Sequence, residues 1–246
     1  LEAEKSYSIL QNFMFDRYSI ETKINPARLS IGYDESRKLF KKYTASDGII
    51  PSNHERIEKL GKAIVGRERN PYRKARAIYN WVLKRLESAE AGTAEDYDII
   101  QALDSQKGGS FIYSGLFCAL VRAVNIPCRP VAGWLIGRDL RSSRHYWAEF
   151  YLEKVGWVPV DPLLGEGKLR VSLAPEIDPK DFYFCNLDFS HITFSKGLIN
   201  LNQMNPEGRV VRRKDIPSLQ LFHEEATGNL FSYSAYWSDI EVLGIY

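Results

Sequence analysis

The stretch GGSFIYSGLFCALVRAVNIPCRPVAG, Gly108 to Gly133, constrains this chain more than any other. After an opening glycine pair, Tyr113, Leu116, Phe117, Leu120, Val121 and Val124 recur at helical spacing, which predicts an apolar helix at the centre of a domain. Pro127 ends that period, and RPVAGWLIG beyond it alternates as a strand does. Ser110 stands at the helix entrance, where free N–H groups and the helix dipole favour negative charge.

Elements of the same two kinds flank this block. PSNHERIEKLGKAIVG reads as a helix that opens with Ser52 and Glu55 in capping-box spacing and stops at Gly66. NPYRKARAIYNWVLKRL offers Asn70 as N-cap and Pro71 at the first helical position, with Ile78, Trp81 and Val82 on one face. A short helix is expected around Asp96 to Leu103. Downstream, HYWAEFYLE and GWVPVD alternate as strands, with Lys154 to Gly156 as turn material.

From Asn12 to Ile31, Phe13, Phe15, Tyr18, Ile20, Thr22 and Ile24 fall near every second position and predict edge strands. At the other end SHITFSKG, GRVVRR, LQLFHEE, LFSYSAYW and IEVLGI read as further strands. Helices first and antiparallel strands second make an α+β fold, with N-terminal helices packed on an antiparallel β-sheet. The expected organisation is a strand-rich lead-in over residues 1–50, a core over 51–165, and a β-rich extension of the same domain over 166–246.

Composition removes several classes of partner. Lys and Arg total 33 against 31 Asp and Glu, and a formal charge of +2 supplies no field for nucleic acid. No apolar run reaches transmembrane length, so no membrane insertion is expected. The first residues, LEAEKSYSIL, carry neither a methionine nor a basic-then-apolar leader; a trimmed chain, with an export segment removed, is the expectation for compartment. Cys118, Cys128 and Cys185 stand too far apart for a metal cluster, and no phosphate-binding glycine loop occurs, so neither metal nor organic cofactor is expected. Composition leaves the oligomeric state open.

The polar residues that stand out are Ser110, His145 and Asp161. A hairpin turning through Leu152 to Lys154 would set His145 directly opposite Asp161. A helix-entrance nucleophile, a histidine to take its proton and a carboxylate to orient that histidine form the layout of acyl transfer through a covalent intermediate. The Ser110 N–H could serve as an oxyanion donor.

Two blocks, GGSFIYSGLFCALVRAVNIPCRPVAGW and HYWAEFYLEKVGWVPVDP, resemble the transglutaminase-like family, whose members share a papain-like core. The first looks like the family's Gly-x-Cys, helix and Arg-Ala-x-x-Ile-Pro-x-Arg-x-x-x-Gly pattern. The second is similar to its His-x-Trp-x-Glu and Gly-Trp-x-x-x-Asp-Pro pattern. The helical lead-in from Gly48 to Val82 and the continuation FYFCNLDFSHITFSKG also resemble bacterial members.

The resemblance implies a thiol acyltransferase or amide hydrolase acting on protein glutamine or peptide amides. His145 matches the family histidine, Asp161 its aspartate, and Ser110 stands where the family has its nucleophilic cysteine. Serine here is either the natural residue or a replacement for that cysteine. Because an alkanol is a far weaker acid than a thiol, a site shaped for sulfur is expected to be slow or inert with it. The reading from a different class is a non-catalytic polypeptide-binding module that keeps the cleft. A working serine hydrolase is the least favoured, since no Gly-x-Ser-x-Gly elbow is present. Trp134 and Trp147 are expected to pack first and to wall a substrate channel second. Cys118 lies about two helical turns beyond Ser110 and is expected to be core.

Overall fold

The helix that opens at Ser110 organises the molecule. In the computed structural model, which describes residues 5–8, 10–89, 98–169, 171–197, 206–207, 209–212, 224–226 and 240–244, α5 runs Ser110–Ala123 with every residue from Ser110 to Arg122 buried. Among the described residues four α-helices precede it: α1 Lys38–Thr44, α2 Glu55–Val65, α3 Pro71–Arg85 and α4 Ile99–Ser105. Asn70 caps α3 as its sequence predicts, accepting from the Tyr72 and Arg73 amides with Pro71 in the first turn. The α4 helix starts at the Asp98 cap, within the expected segment.

The expected capping box on α2 does not form. Ser52 is turned inward, its hydroxyl donating to the Thr44 carbonyl at 3.3 Å. His54 caps the helix instead, its Nδ1 accepting from the Arg56 amide.

Two short strands, β1 Glu87–Ser88 and β2 Lys107–Gly108, pair in parallel just before α5. The main sheet holds β3 Cys128–Ile136, β4 Ser142–Leu152, β5 Gly156–Val160 and β6 His191–Lys196 in the antiparallel order β5-β4-β3-β6. Two short helices, α6 Pro162–Gly165 and α7 Pro179–Phe182, lie between β5 and β6 in the chain. Helices packed on an antiparallel sheet make the α+β class, as the change of period at Pro127 predicts.

Alternation along β4 divides the core in two. Tyr146, Ala148, Phe150 and Leu152 join α5 in the larger apolar cluster. Trp147 points to the other side, where it packs with Val131, Leu135, Leu164, Tyr183 and Leu187. Both sheet faces are therefore covered, and polar groups on either must find partners inside the protein.

Ion pairs tie the halves of the sequence motif together. Arg129 on β3 lies across from Glu149 on β4, its Nε donating to Oε2 at 2.8 Å, while Lys196 on β6 reaches Oε1 at 2.9 Å. The Arg129 guanidinium also stacks 3.9 Å over the Trp157 ring on β5. At the far end of α5, buried Arg122 donates to the Cys128 and Ala45 carbonyls and pairs with Asp47.

Two expectations at the chain ends are corrected. Among the described residues between Asn12 and Ile31 there is no strand, only a single bridge, Ile20 with Leu187, and a 3-10 turn at Pro26–Arg28. Phe13, Met14, Phe15, Tyr18 and Ile20 are exposed; β-propensity expresses packing on a half-buried pleated surface, and these side chains lack one. Near the C-terminus, SHITFSKG forms β6, GRVVRR contains β7 Arg209–Arg212, and the end of LQLFHEE begins β8 Glu224–Ala226, which pairs with β7. Residues 240–244, within IEVLGI, form no strand, and LFSYSAYW lies outside the described residues.

Candidate active site

Three elements deliver the three sequence-selected side chains. Ser110 occupies the first turn of α5, with Gly109 rather than the serine itself as N-cap. Gly108 is required by space: a Cβ there would come within 2.4 Å of the Ile112 side chain, so the chain can fold into the helix this closely only without one. Gly109 faces no such neighbour. The Ser110 hydroxyl oxygen accepts from the Tyr146 amide at 3.2 Å, which pins the helix entrance to β4 one residue beyond His145.

His145 pairs across the ladder with Gly133, where any Cβ would strike the Ile192 carbonyl and the Trp147 ring. That glycine admits the indole, which lies nearly parallel to the His145 ring at 6.3 Å. Asp161 follows β5 directly and caps α6, its Oδ1 accepting from the Leu164 amide at 3.0 Å. His145 Nε2 lies 2.6 Å from Asp161 Oδ2, and both side chains are buried.

The two meet by a different register from the one expected. Leu152 stays in the strand and pairs with Gly156, and the last ladder pair is Ala148 with Val160. The loop is Glu153 to Val155, with Lys154 at φ 67° and Gly156 at φ 103°. Asp161 therefore projects beyond the ladder, diagonal to His145 instead of opposite. A shift of two residues preserves the face on which a side chain lies, whereas a shift of one would have sent Asp161 to the other side of the sheet.

The tautomer follows from the partners. An ionised carboxylate only accepts, so His145 Nε2 carries the proton on Asp161 and Nδ1 holds the lone pair when the ring is neutral. Burial raises the Asp161 pKa, but the charge and hydrogen bond of His145 and the hydrogen bond of His191 outweigh it and hold the carboxyl below the usual range. Among the described residues no hydrogen bond joins Ser110 to His145.

His191 is a site residue that sequence reasoning missed. From β6 its Nε2 reaches the same Asp161 Oδ2 at 3.0 Å, and its Nδ1 reaches Asp188 Oδ1 at 2.9 Å. Asp188 in turn accepts from the Tyr183 hydroxyl at 2.9 Å and from the Ser190 amide and hydroxyl. The signal lay in LDFSH, a carboxylate, a serine and a histidine within four residues, yet nothing in the spacing connects it to Asp161.

His145, Asp161 and His191 bring two imidazole nitrogens and a carboxylate oxygen within 4.8 Å of one another, a donor set that metals use. Ligands about 2.0–2.1 Å from a tetrahedral zinc stand roughly 3.3 Å apart. The observed 2.6 and 3.0 Å are hydrogen-bond lengths, and protons rather than an ion suit the gaps.

Trp147 and Trp134 are both buried, and the indole nitrogen of each has no hydrogen-bond partner. Trp147 lies edge-on to His191 at 5.2 Å and so packs against both histidines. Cys118 and Cys128 are buried with their sulfurs 3.3 Å apart. Burial also pushes the Cys185 thiol up to about 12.

Residues 58–162, from within α2 to the first residue of α6, match the model of the transglutaminase-like superfamily. The matched residues contain Ser110, His145 and Asp161, whereas Asp188 and His191 lie beyond them. A Haemophilus influenzae protein described as uncharacterised is 28% identical over 149 residues, 51% of this chain and 40% of that protein. Among solved structures, a proposed cysteine protease of Cytophaga hutchinsonii is 18% identical with a TM-score of 0.48, covering 65% of this chain and 47% of that one. The periplasmic domain of TgpA from Pseudomonas aeruginosa is 20% identical with a TM-score of 0.42, covering 51% and 47%. The chain thus spans less than half the length of each of these relatives.

Proposed function

We propose that the transglutaminase-like core is an acyl-transfer site for polypeptide amides in which Ser110, His145 and Asp161 occupy the nucleophile, base and orienting positions. The observation that carries this reading is the buried 2.6 Å contact between His145 Nε2 and Asp161 Oδ2, one residue from the amide that engages Ser110. In this reading His145 Nδ1 accepts the nucleophile's proton and later returns it to the leaving amine, while Asp161 stabilises the imidazolium. The Ser110 amide, at the start of α5, would face the developing oxyanion.

Serine at position 110 makes the site slow or inert as it stands. Its hydroxyl is not acidic enough to ionise beside an imidazole, and it must be deprotonated during attack. The expected outcome for Ser110→Cys is a thiol that iodoacetamide alkylates near neutral pH faster than Cys118, Cys128 or Cys185, all of which are buried. His145→Ala slows that labelling, and Asp161→Ala slows it less. The same variant releases ammonia from a glutamine peptide, or couples a fluorescent amine to it, where the Ser110 form does neither.

Ser110 also favours a second reading, a polypeptide-binding module that retains the cleft without the chemistry. Saturable binding of a polypeptide by the Ser110 form, abolished by His145 or Trp147 substitution, together with a silent Ser110→Cys variant, would decide for the module.

A further inference from the structure

His191 stands between two carboxylates. Its Nδ1 is 2.9 Å from Asp188 Oδ1 and its Nε2 is 3.0 Å from Asp161 Oδ2, with the side chain 3% exposed. A carboxylate can only accept, and a neutral imidazole has one N–H, so both contacts are hydrogen bonds only when both ring nitrogens carry protons. With both carboxylates ionised, the two contacts are satisfied together by an imidazolium.

Asp188 is itself immobilised, by the Tyr183 hydroxyl on Oδ2 and by the Ser190 amide on Oδ1. Asp161 receives a donor from each side: the Leu164 amide on Oδ1, and both His145 and His191 on Oδ2. Rotation of the Asp161 carboxylate would break all three. We propose that His191 is a positioning residue, a charged donor clamped by Asp188 that fixes the Asp161 carboxylate in its orientation toward His145.

The constellation thereby becomes a buried relay running Tyr183, Asp188, His191, Asp161, His145. This rests on the reading of His145 and Asp161 as base and orienting group. Burial lowers the His191 pKa, but hydrogen bonds to Asp161 and Asp188 outweigh it and raise the group to about 9. The other groups facing the ring are His145 at 5.9 Å and Tyr183 at 6.0 Å between ring centroids, with the Trp147 edge closing the remaining side. Loss of the proton leaves one N–H for two carboxylates, so the clamp opens above that pH.

Two measurements test the relay. In the unmodified chain, nitrogen NMR of the imidazoles should show His191 protonated on both nitrogens through pH 8 and titrating near 9. The His145 Nε2 resonance should move with the same midpoint. A His191 midpoint at or below 7, or a His145 resonance that ignores the His191 transition, overturns the proposal.

In the Ser110→Cys background, alkylation of the introduced thiol at pH 7 should fall about tenfold or more in His191→Ala, as expected when an orienting group is lost. His191→Arg, which keeps a permanent charge and several donors, should hold the rate within about threefold. Equal rates in all three forms, or a loss that arginine does not rescue, overturns the positioning role while the triad reading stands. An introduced thiol no faster than Cys118, Cys128 and Cys185 with His191 intact overturns the triad reading, and with it this inference; the NMR result does not depend on that thiol.

Discussion

His145 and Glu149 lie on the same face of β4, both buried and both bound to side chains from other elements. Glu149 is held by Arg129 and Lys196, in a cluster without an imidazole. His145 ends a hydrogen-bonded chain of two histidines and two aspartates. The first cluster ties β3, β4 and β6 together. The second holds His191 up to about 9 and the Asp161 and Asp188 carboxyls below their usual range, through the hydrogen bonds that join them. One strand thus carries two buried polar clusters, and their partners make the difference.

The largest expected effect of breaking that contrast comes from Asp161→Ala. It leaves two buried imidazoles without their shared acceptor and removes the cap from α6. A loss of about 3–5 kcal/mol in urea unfolding at pH 6 is expected. Glu149→Ala comes next at about 2–4 kcal/mol, because Arg129 is left nearly buried without its carboxylate. That variant should leave the reactivity of a thiol introduced at Ser110 unchanged, which separates the two clusters by function.

A smaller effect sharpens the comparison through pH. His191 rises from 6.5 to about 9 on folding, so its contribution is complete below about pH 6.5 and is lost as pH rises through 9. Asp161 and Asp188 are held below their ordinary value of 3.8; their contribution is present above that pH and lost as pH falls through the lowered values. These shifts describe the same contacts and are not added. Unfolding stability should therefore fall by about 3 kcal/mol at most between pH 6 and 10. Asp188→Asn should flatten that slope and Glu149→Ala should not; equal slopes in both variants would remove the distinction. The smallest effect is expected for Lys196→Ala, about 0.5–1 kcal/mol, since its side chain is 45% exposed and water replaces much of the lost interaction.

Residues close in the chain were legible because their signals are local. Asn70 and Pro71 start α3, the apolar period of α5 ends before Pro127, and the alternation of β3 to β5 appears in the order of the side chains. The candidate triad positions were legible through two motif blocks, each contiguous. Ser52 was misread because a capping box is a spacing rule, and the inward contact with the Thr44 carbonyl is not written in that spacing. The Phe13 to Ile20 segment was misread for a related reason: alternation signals a strand only when a neighbouring strand and a core exist to receive it.

Sequence by itself determined the helices and strands from α2 to β5, their order and the side-chain types available at Ser110, His145 and Asp161, since propensity, capping and side-chain type belong to neighbouring residues. Tertiary structure alone decided how those groups meet. The loop from Glu153 to Val155 set the strand register two residues from the expected one, through backbone angles at Lys154 and Gly156. The pairing of β6 with β3 carried His191 across 30 residues to Asp161. A long-range polar contact costs loop entropy and desolvation and is repaid only when both faces of the sheet are covered, so it is a property of the packed molecule and of no single segment.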